Sequence, residues 1–216
     1  MRLFNPEWEA IKEFQHAAMV RDALLDLAGQ ELPEDHGQAL YEALLIHLPW
    51  LKDTPDAGIH PIHGAPSGRG TLVINRRAKL ILRLPIPRIA DALALVGKSI
   101  DLGCGAIRIG DLKEKPLMPF GYLYAPFVDL GTTDEALFLD RARARLEELG
   151  VQGGLIPGKQ RKMHTPEGEV GGYSLMLHDV TLAQSITVQE QGIGGNRLRG
   201  CGIFVAHKSI KEVSGG

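Results

Sequence analysis

The 216-residue sequence predicts an α+β fold of two tandem ferredoxin-like halves, each an RRM-like βαββαβ unit. Three observations predict it. The order strand, helix, strands, helix, strand occurs twice along the chain. A glycine-rich segment stands just before the last strand of the second round. The length, with 44% hydrophobic and 23% charged residues, is enough for one sizeable core or two small ones.

Residues 2–18 are expected as a short amphipathic helix outside the repeat. Met19 to Leu27 has strand character and ends at the Ala28-Gly29 turn. From Asp35 to Leu51, Leu40, Leu44, His47, Leu48 and Leu51 recur at helical spacing. Pro33, and Asp35 with Gln38 three residues on, mark the start as a capping box, and Pro49 tightens or ends the last turn. Gly58 to Gly64, Thr71 to Asn75 and Leu80 to Leu84 are strand-like, Arg88 to Val96 is a short helix, and Ile100 to Ile109 alternates around a glycine turn. The second round runs through a strand at Tyr122 to Val128 and a helix at Thr133 to Leu149, with Thr133 as its cap. Strands at Leu155 to Met163 and Val170 to Leu177, a helix at Leu182 to Gln191 and a strand at Gly202 to Ala206 complete it. The domains expected are therefore 19–115 and 116–216, preceded by an extension over 1–18.

The net charge of −2 does not by itself announce a nucleic-acid binder, but the sign changes along the chain. Residues 1–60 hold eleven acids against four bases, and the remainder twenty bases against fifteen acids. Arg76, Arg77, Lys79, Arg83 and Arg88 follow one another with no acid between them. Lys159, Arg161 and Lys162 form a second cluster, and Arg197, Arg199, Lys208 and Lys211 a third. Such clusters are what phosphate binding needs, although a plain solvated face looks the same in sequence. Alternation puts Arg77, Lys79 and Arg83 on one side and Leu80, Leu82 and Leu84 on the other, a basic face over an apolar one. No stretch approaches the roughly 20 apolar residues of a membrane-spanning helix. Met1 to Ala10 lacks a signal-peptide pattern, so a cytoplasmic protein is expected. Cys104 and Cys201 match no metal-ligand spacing, and no carboxylate cluster suggests a metal, so neither metal nor cofactor is expected. Asp22 and Asp26, like Asp134 and Asp140, are taken as exposed strand and helix residues.

The glycine-rich segment runs Gly-Ile-Gly-Gly-Asn-Arg-Leu-Arg-Gly-Cys-Gly-Ile-Phe over 192–204. Glycines such as Gly194 and Gly195 let a backbone approach phosphate closely, and Arg197 and Arg199 add charge-assisted contacts. A tight turn would need glycine as well. This segment resembles the C-terminal glycine-rich signature of the RAMP endoribonucleases of the Cas6 type. Leu-Pro-Glu-Asp-His-Gly-Gln-Ala-Leu-Tyr-Glu-Ala-Leu (32–44), Gly-Ile-His-Pro-Ile-His-Gly (58–64) and Leu-Ile-Leu-Arg-Leu-Pro (80–85) resemble the branch of that family named for the myxobacterial subtype. The resemblance implies metal-independent cleavage within the repeat hairpin of a CRISPR precursor transcript. It implies a 5′-hydroxyl and a 2′,3′-cyclic phosphate as products. It also implies retention of the product beside other effector-complex subunits.

RNA carries its own nucleophile, the 2′-hydroxyl beside the scissile phosphate, so the protein must align it, move protons and stabilise charge. Histidine suits the proton steps, and three sites compete. His36 falls at the start of the first helix, where free N–H groups and the dipole favour phosphate. In the family the general base or acid lies on or just after this helix, which the resemblance carries to His36 first. His47 stands on the apolar stripe of that helix, so a partly buried structural histidine is the competing reading. His60 and His63 are sent to opposite faces by alternation, so at most one faces the site, and His60 could assist. His16, His164, His178 and His207 are read as surface or loop residues. The other reading of the chain is a ferredoxin-like RNA-binding subunit that holds RNA without cutting it.

Overall fold

In the computed structural model the described residues are 18–207, with Ile11 and Phe14. The helix expected over 2–18 falls almost wholly outside them, as do Lys208 and Lys211.

The first half is built on β1 (Val20–Ala28), whose alternation sends Ala23, Leu25 and Leu27 into a core. After it come β2 (Glu31–Pro33), α1 (Gly37–Leu45) and the short β3 (Gly58–Ile59), β4 (Ala65–Pro66) and β5 (Thr71–Val73). β6 (Lys79–Pro85), β7 (Ser99–Asp101) and β8 (Ala106–Pro116) complete it. The main sheet has the order β3-β6-β1-β8-β7, every neighbouring pair antiparallel. Without the edge strand β7, that is second, third, first, fourth strand, the ferredoxin-like order. β2, β5 and β4 form a separate small sheet, so Thr71 to Asn75 supplies no strand to the main one.

The helix expected to run to Leu51 stops at Leu45, and a 3₁₀ turn over Pro49–Asp53 continues the path. Pro49 has no N–H to donate, and its ring drives Leu48 out of the helical region, to φ −128° and ψ 65°. Leu40 and Leu44 on α1, and Leu48 and Leu51 beyond it, are all fully buried, so the apolar stripe survives the break. Burying each such leucine contributes about 1.5–3 kcal/mol. The capping box does not form. His36 occupies the N-cap position with no side-chain cap bond, and Asp35 turns away to accept from His164. The helix expected over 88–96 is two 3₁₀ pieces, Ile86–Arg88 and Ala90–Leu95.

The second half contains β9 (Tyr122–Val128), α2 (Glu135–Glu148), β10 (Gly154–Thr165), β11 (Gly168–His178), α3 (Leu182–Gln191) and β12 (Val205–Ala206). Its sheet order β10-β11-β9-β12 repeats the second-third-first-fourth arrangement. Asp134, not Thr133, caps α2 by accepting from the Leu137 N–H at 2.8 Å. Thr181 and Gln184 form a full capping box on α3. Phe138, Ala142 and Leu146 from α2 pack with Leu123, Leu175 and Leu177 from the sheet into a second core. A small third cluster, Ala18, Val20, Leu117 and Ile186, joins the two halves. No helix among the described residues is long and apolar enough to cross a membrane. Cys104 is exposed and Cys201 buried, and they are not bonded to each other.

Candidate functional site between the two halves

The glycine-rich segment of the second half is folded against the first half. Asn196 and Gly200, both in the left-handed region, bracket a 3₁₀ turn over Arg197–Arg199. The turn sits so close to the start of α1 that a Cβ on Gly37 would run into the Arg199 carbonyl oxygen. Asp129 anchors the other end: its carbonyl accepts from the Gly195 N–H at 2.9 Å and its carboxylate from Asn196 Nδ2 at 2.7 Å.

A cleft of 590 Å³ opens between the halves, with His36, His60, His63, Arg161, Lys162 and Arg199 among the residues that line it. The tip of the β10–β11 hairpin reaches across to the start of α1. There Asp35 accepts from both the backbone N–H and Nδ1 of His164 at 2.8 Å. Arg199 is held by Gln38 Oε1 through its Nε, by Asn196 Oδ1 at 2.8 Å and over the Tyr41 ring, while Nη2 stands 3.7 Å from Glu167. A larger hollow of 790 Å³ lies behind the glycine segment, against α2. Its cations are already committed, Arg141 to the Leu130 and Gly131 carbonyls and Arg145 to Glu148. His36, His60 and His63 line the smaller cleft, which makes it the candidate site.

His36 is 4% exposed and has no ring nitrogen to spare. The Ile62 N–H must donate, so Nε2 accepts from it at 2.9 Å and the ring proton is on Nδ1, facing the Pro33 and Glu34 carbonyls at 2.9 and 3.1 Å. Burial pushes its pKa down, favouring the neutral imidazole, and outweighs those two carbonyls, which by themselves would raise it. His60 is 7% exposed, and burial likewise pushes its pKa down. Its Nε2 stands 3.5 Å from Asp22 Oδ1, beyond ordinary hydrogen-bond length. His47 lies half-buried in the turn after α1, outside the cleft. His63, which alternation had set on the face away from His60, lines the same cleft, because residues 60–64 are irregular backbone rather than strand.

The expected basic face is corrected by strand pairing. β6 alternates as read, with Leu80, Leu82 and Leu84 fully buried. Its opposite face, however, meets β1 in a register that places Arg83 beside Asp22 and Lys79 beside Asp26. Lys79 Nζ pairs with Asp26 Oδ1 at 2.6 Å. Arg83 is 1% exposed, salt-bridged to Asp22 and donating to the Gln189 and Phe204 carbonyls of the second half. Asp22 is thus buried, not exposed. Burial alone would raise its pKa, but the Arg83 guanidinium holds the carboxyl well below the usual carboxylate range. Arg197 also points inward: Nη1 donates to the Glu190 carbonyl at 2.8 Å, and burial lowers its pKa to about 10.

Arg76 and Arg77 are exposed in the turn before β6. Arg77 shares a shallow groove with His63 and Lys79. Lys159, Arg161 and Lys162 are exposed along the edge strand β10, with Lys162 paired to Glu169 at 2.7 Å. Gly194 and Gly195 are exposed, but on the hollow behind the cleft. Sequence reading missed Tyr124 and the Asp35–His164 contact, since both depend on how the halves meet.

Two ferredoxin-like halves facing each other across a cationic, histidine-bearing cleft define a protein of the RAMP class. The family model described as "Cas6 Crispr" matches residues 22–209, and the chain belongs to that Cas6 family. The CRISPR-associated endonuclease Cas6 of Myxococcus xanthus (strain DK1622) is 35% identical over 185 residues, covering 85% of this chain and 80% of that protein. Two solved structures share the fold. One, titled "An RAMP protein binding different RNA substrates", has a TM-score of 0.65 at 14% identity, covering 87% of this chain and 100% of that one. The other, from "Characterization of a Cas6-related gene from Pyrococcus furiosus", has a TM-score of 0.64 at 15% identity, covering 89% of this chain and 100% of that one.

Proposed function

We propose that this protein is a CRISPR RNA-processing endoribonuclease, with 19–115 and 116–216 as its two domains. It binds the repeat hairpin of a precursor transcript and cuts it without a metal ion. The carrying observation is the cleft between the halves, where histidines and the cations Arg161, Lys162 and Arg199 meet in a relative of a named CRISPR endonuclease. In the reaction, the 2′-hydroxyl attacks the adjacent phosphorus, the bond to the 5′-oxygen breaks, and a 2′,3′-cyclic phosphate and a 5′-hydroxyl result. Fixed cations aimed at the phosphate stabilise the charge that develops on its oxygens. A histidine moving a proton contributes about 10²–10⁴-fold.

RNA enters along exposed cations. Arg76 and Arg77 on one side and Lys159, Arg161 and Lys162 on the other track phosphates, and Arg199 reaches them at the floor. Gly194 and Gly195 offer backbone to the strand as it leaves. Arg83 and Arg197 act from within, holding the halves and the glycine segment in place. His36 and His60 shape the wall of the cleft.

The test is cleavage of a labelled repeat-hairpin RNA by the full chain in EDTA, beside the same RNA with a 2′-deoxy nucleotide at the cut. Cleavage of the first with a cyclic-phosphate end, and none of the second, is the expected result. Binding with no cleavage of either would make this an RNA-holding subunit instead.

A further inference from the structure

We infer that His63 is the catalytic proton carrier of this cleft and that His36 is the residue that positions it. The inference rests on the nuclease reading above and names the group that reading leaves open. His36 has both ring nitrogens bound to backbone, and His60 is buried against Asp22. His63 is exposed and stands where two cationic surfaces meet. On one side is the cleft with Arg161, Lys162 and Arg199, and on the other the groove with the exposed Arg77, beside Lys79 already paired to Asp26. A phosphodiester drawn to either set of cations passes the His63 ring.

The backbone on both sides of His63 is pinned. Ile62 before it is 1% exposed, and its N–H is held by His36 Nε2. Gly64 after it lies so close to β5 that a Cβ would stand 2.7 Å from the Val73 carbonyl oxygen, and Ala65 then pairs with Val73. A short irregular segment fixed at both ends turns its one exposed ring outward, and such preorganisation is what a proton carrier needs. In the step, the 2′-hydroxyl proton passes to a free imidazole nitrogen as the O2′–P bond forms. The P–O5′ bond breaks, and the leaving 5′-oxygen takes a proton from solvent.

The experiment is single-turnover cleavage of labelled repeat-hairpin RNA in EDTA by the wild type, His63→Ala and His36→Ala. Binding is measured with the uncleavable 2′-deoxy RNA, and rates are followed against pH. His63→Ala is expected to cut about 100-fold or more slower, with binding and melting temperature unchanged. The rise of the wild-type rate with pH is expected to vanish in that variant. His36→Ala is expected to lose both rate and thermal stability. A His63→Ala rate within about threefold of wild type would overturn the assignment while leaving the nuclease reading intact. A wild type that binds and never cuts would overturn both.

Discussion

Arg83 and Asp22 face each other across neighbouring strands of the first sheet, Nε to Oδ1 at 2.8 Å and Nη2 to Oδ2 at 3.0 Å. The remaining Arg83 nitrogen, Nη1, donates to the Gln189 carbonyl at 2.9 Å and the Phe204 carbonyl at 2.7 Å. One guanidinium therefore neutralises a buried carboxylate and ties down the backbone that enters and leaves the glycine segment. Its planar fork suits this task, and a lysine could not reproduce it.

Arg83→Met leaves Asp22 buried without its cation and two carbonyls without a donor. The expected cost is about 3–5 kcal/mol, or roughly 6–20 °C in melting temperature at about 2–4 °C per kcal/mol. Calorimetry checks it, and a double variant with Asp22→Asn should recover part of the loss. An Arg83→Met protein as stable as wild type would mean that the halves are held by other contacts.

The two buried histidines give stability a definite pH dependence. Burial depresses the pKa of both His36 and His60, so the folded protein refuses protons that the unfolded chain accepts below about pH 6.5. Their contribution is complete above that value and is lost as pH falls towards the folded pKa, by up to about 1.4 kcal/mol per pH unit for each ring. Asp22 adds a second, more acidic loss, starting below about pH 3.9, because its folded pKa is also depressed. Urea midpoints measured from pH 7.5 downward should fall through the first window, and less steeply in His36→Gln. A flat profile there would mean that neither ring is buried in solution.

Charge at the cleft edge should appear in the salt dependence of RNA binding. Arg161→Glu removes an exposed cation and should lower affinity while flattening the plot of log K against log salt by about 0.7 for each phosphate left without its cation. Arg77→Glu should act the same way from the opposite side. An unchanged slope in both would place the RNA elsewhere.

Two neighbouring glycines separate strain from access. Gly194 has φ +82°, and a Cβ there would press into the Asp129 carbonyl, so Gly194→Ala should deform the segment and lower the melting temperature. Gly195→Ala meets only the Asp129 carboxylate, at 3.1 Å, which a side chain can relieve. It should keep the fold and weaken RNA binding only if the backbone there touches phosphate. Equal binding by Gly195→Ala and wild type would remove Gly195 from the interface.

Local pattern alone located β1, β6, β9, α2, α3 and the paired strands β10 and β11, because alternation and helical spacing are written residue by residue. The amphipathic stripe through Leu40, Leu44, Leu48 and Leu51 was also legible, although Pro49 breaks the helix that carries it. The glycine segment announced itself by composition. The electrostatics were not legible. Lys79 and Arg83 belong with Asp26 and Asp22, more than fifty residues away, and only the register of β6 against β1 brings them together.

The histidines show the same division. Sequence offered His36, His47 and His60 as candidates and set His63 on the face away from His60, and by resemblance it pointed to the right family. Which ring is free to meet a substrate depends on which nitrogens the backbone claims, and that is set when the 58–64 segment folds against the start of α1. The sequence by itself determined the longer strands, the helices of the second half, the repeated order and the family, since these follow from local spacing and motif. Only the tertiary structure decided which charges are neutralised, which histidines are sealed and where the cleft lies, because burial and pairing depend on contacts between distant residues.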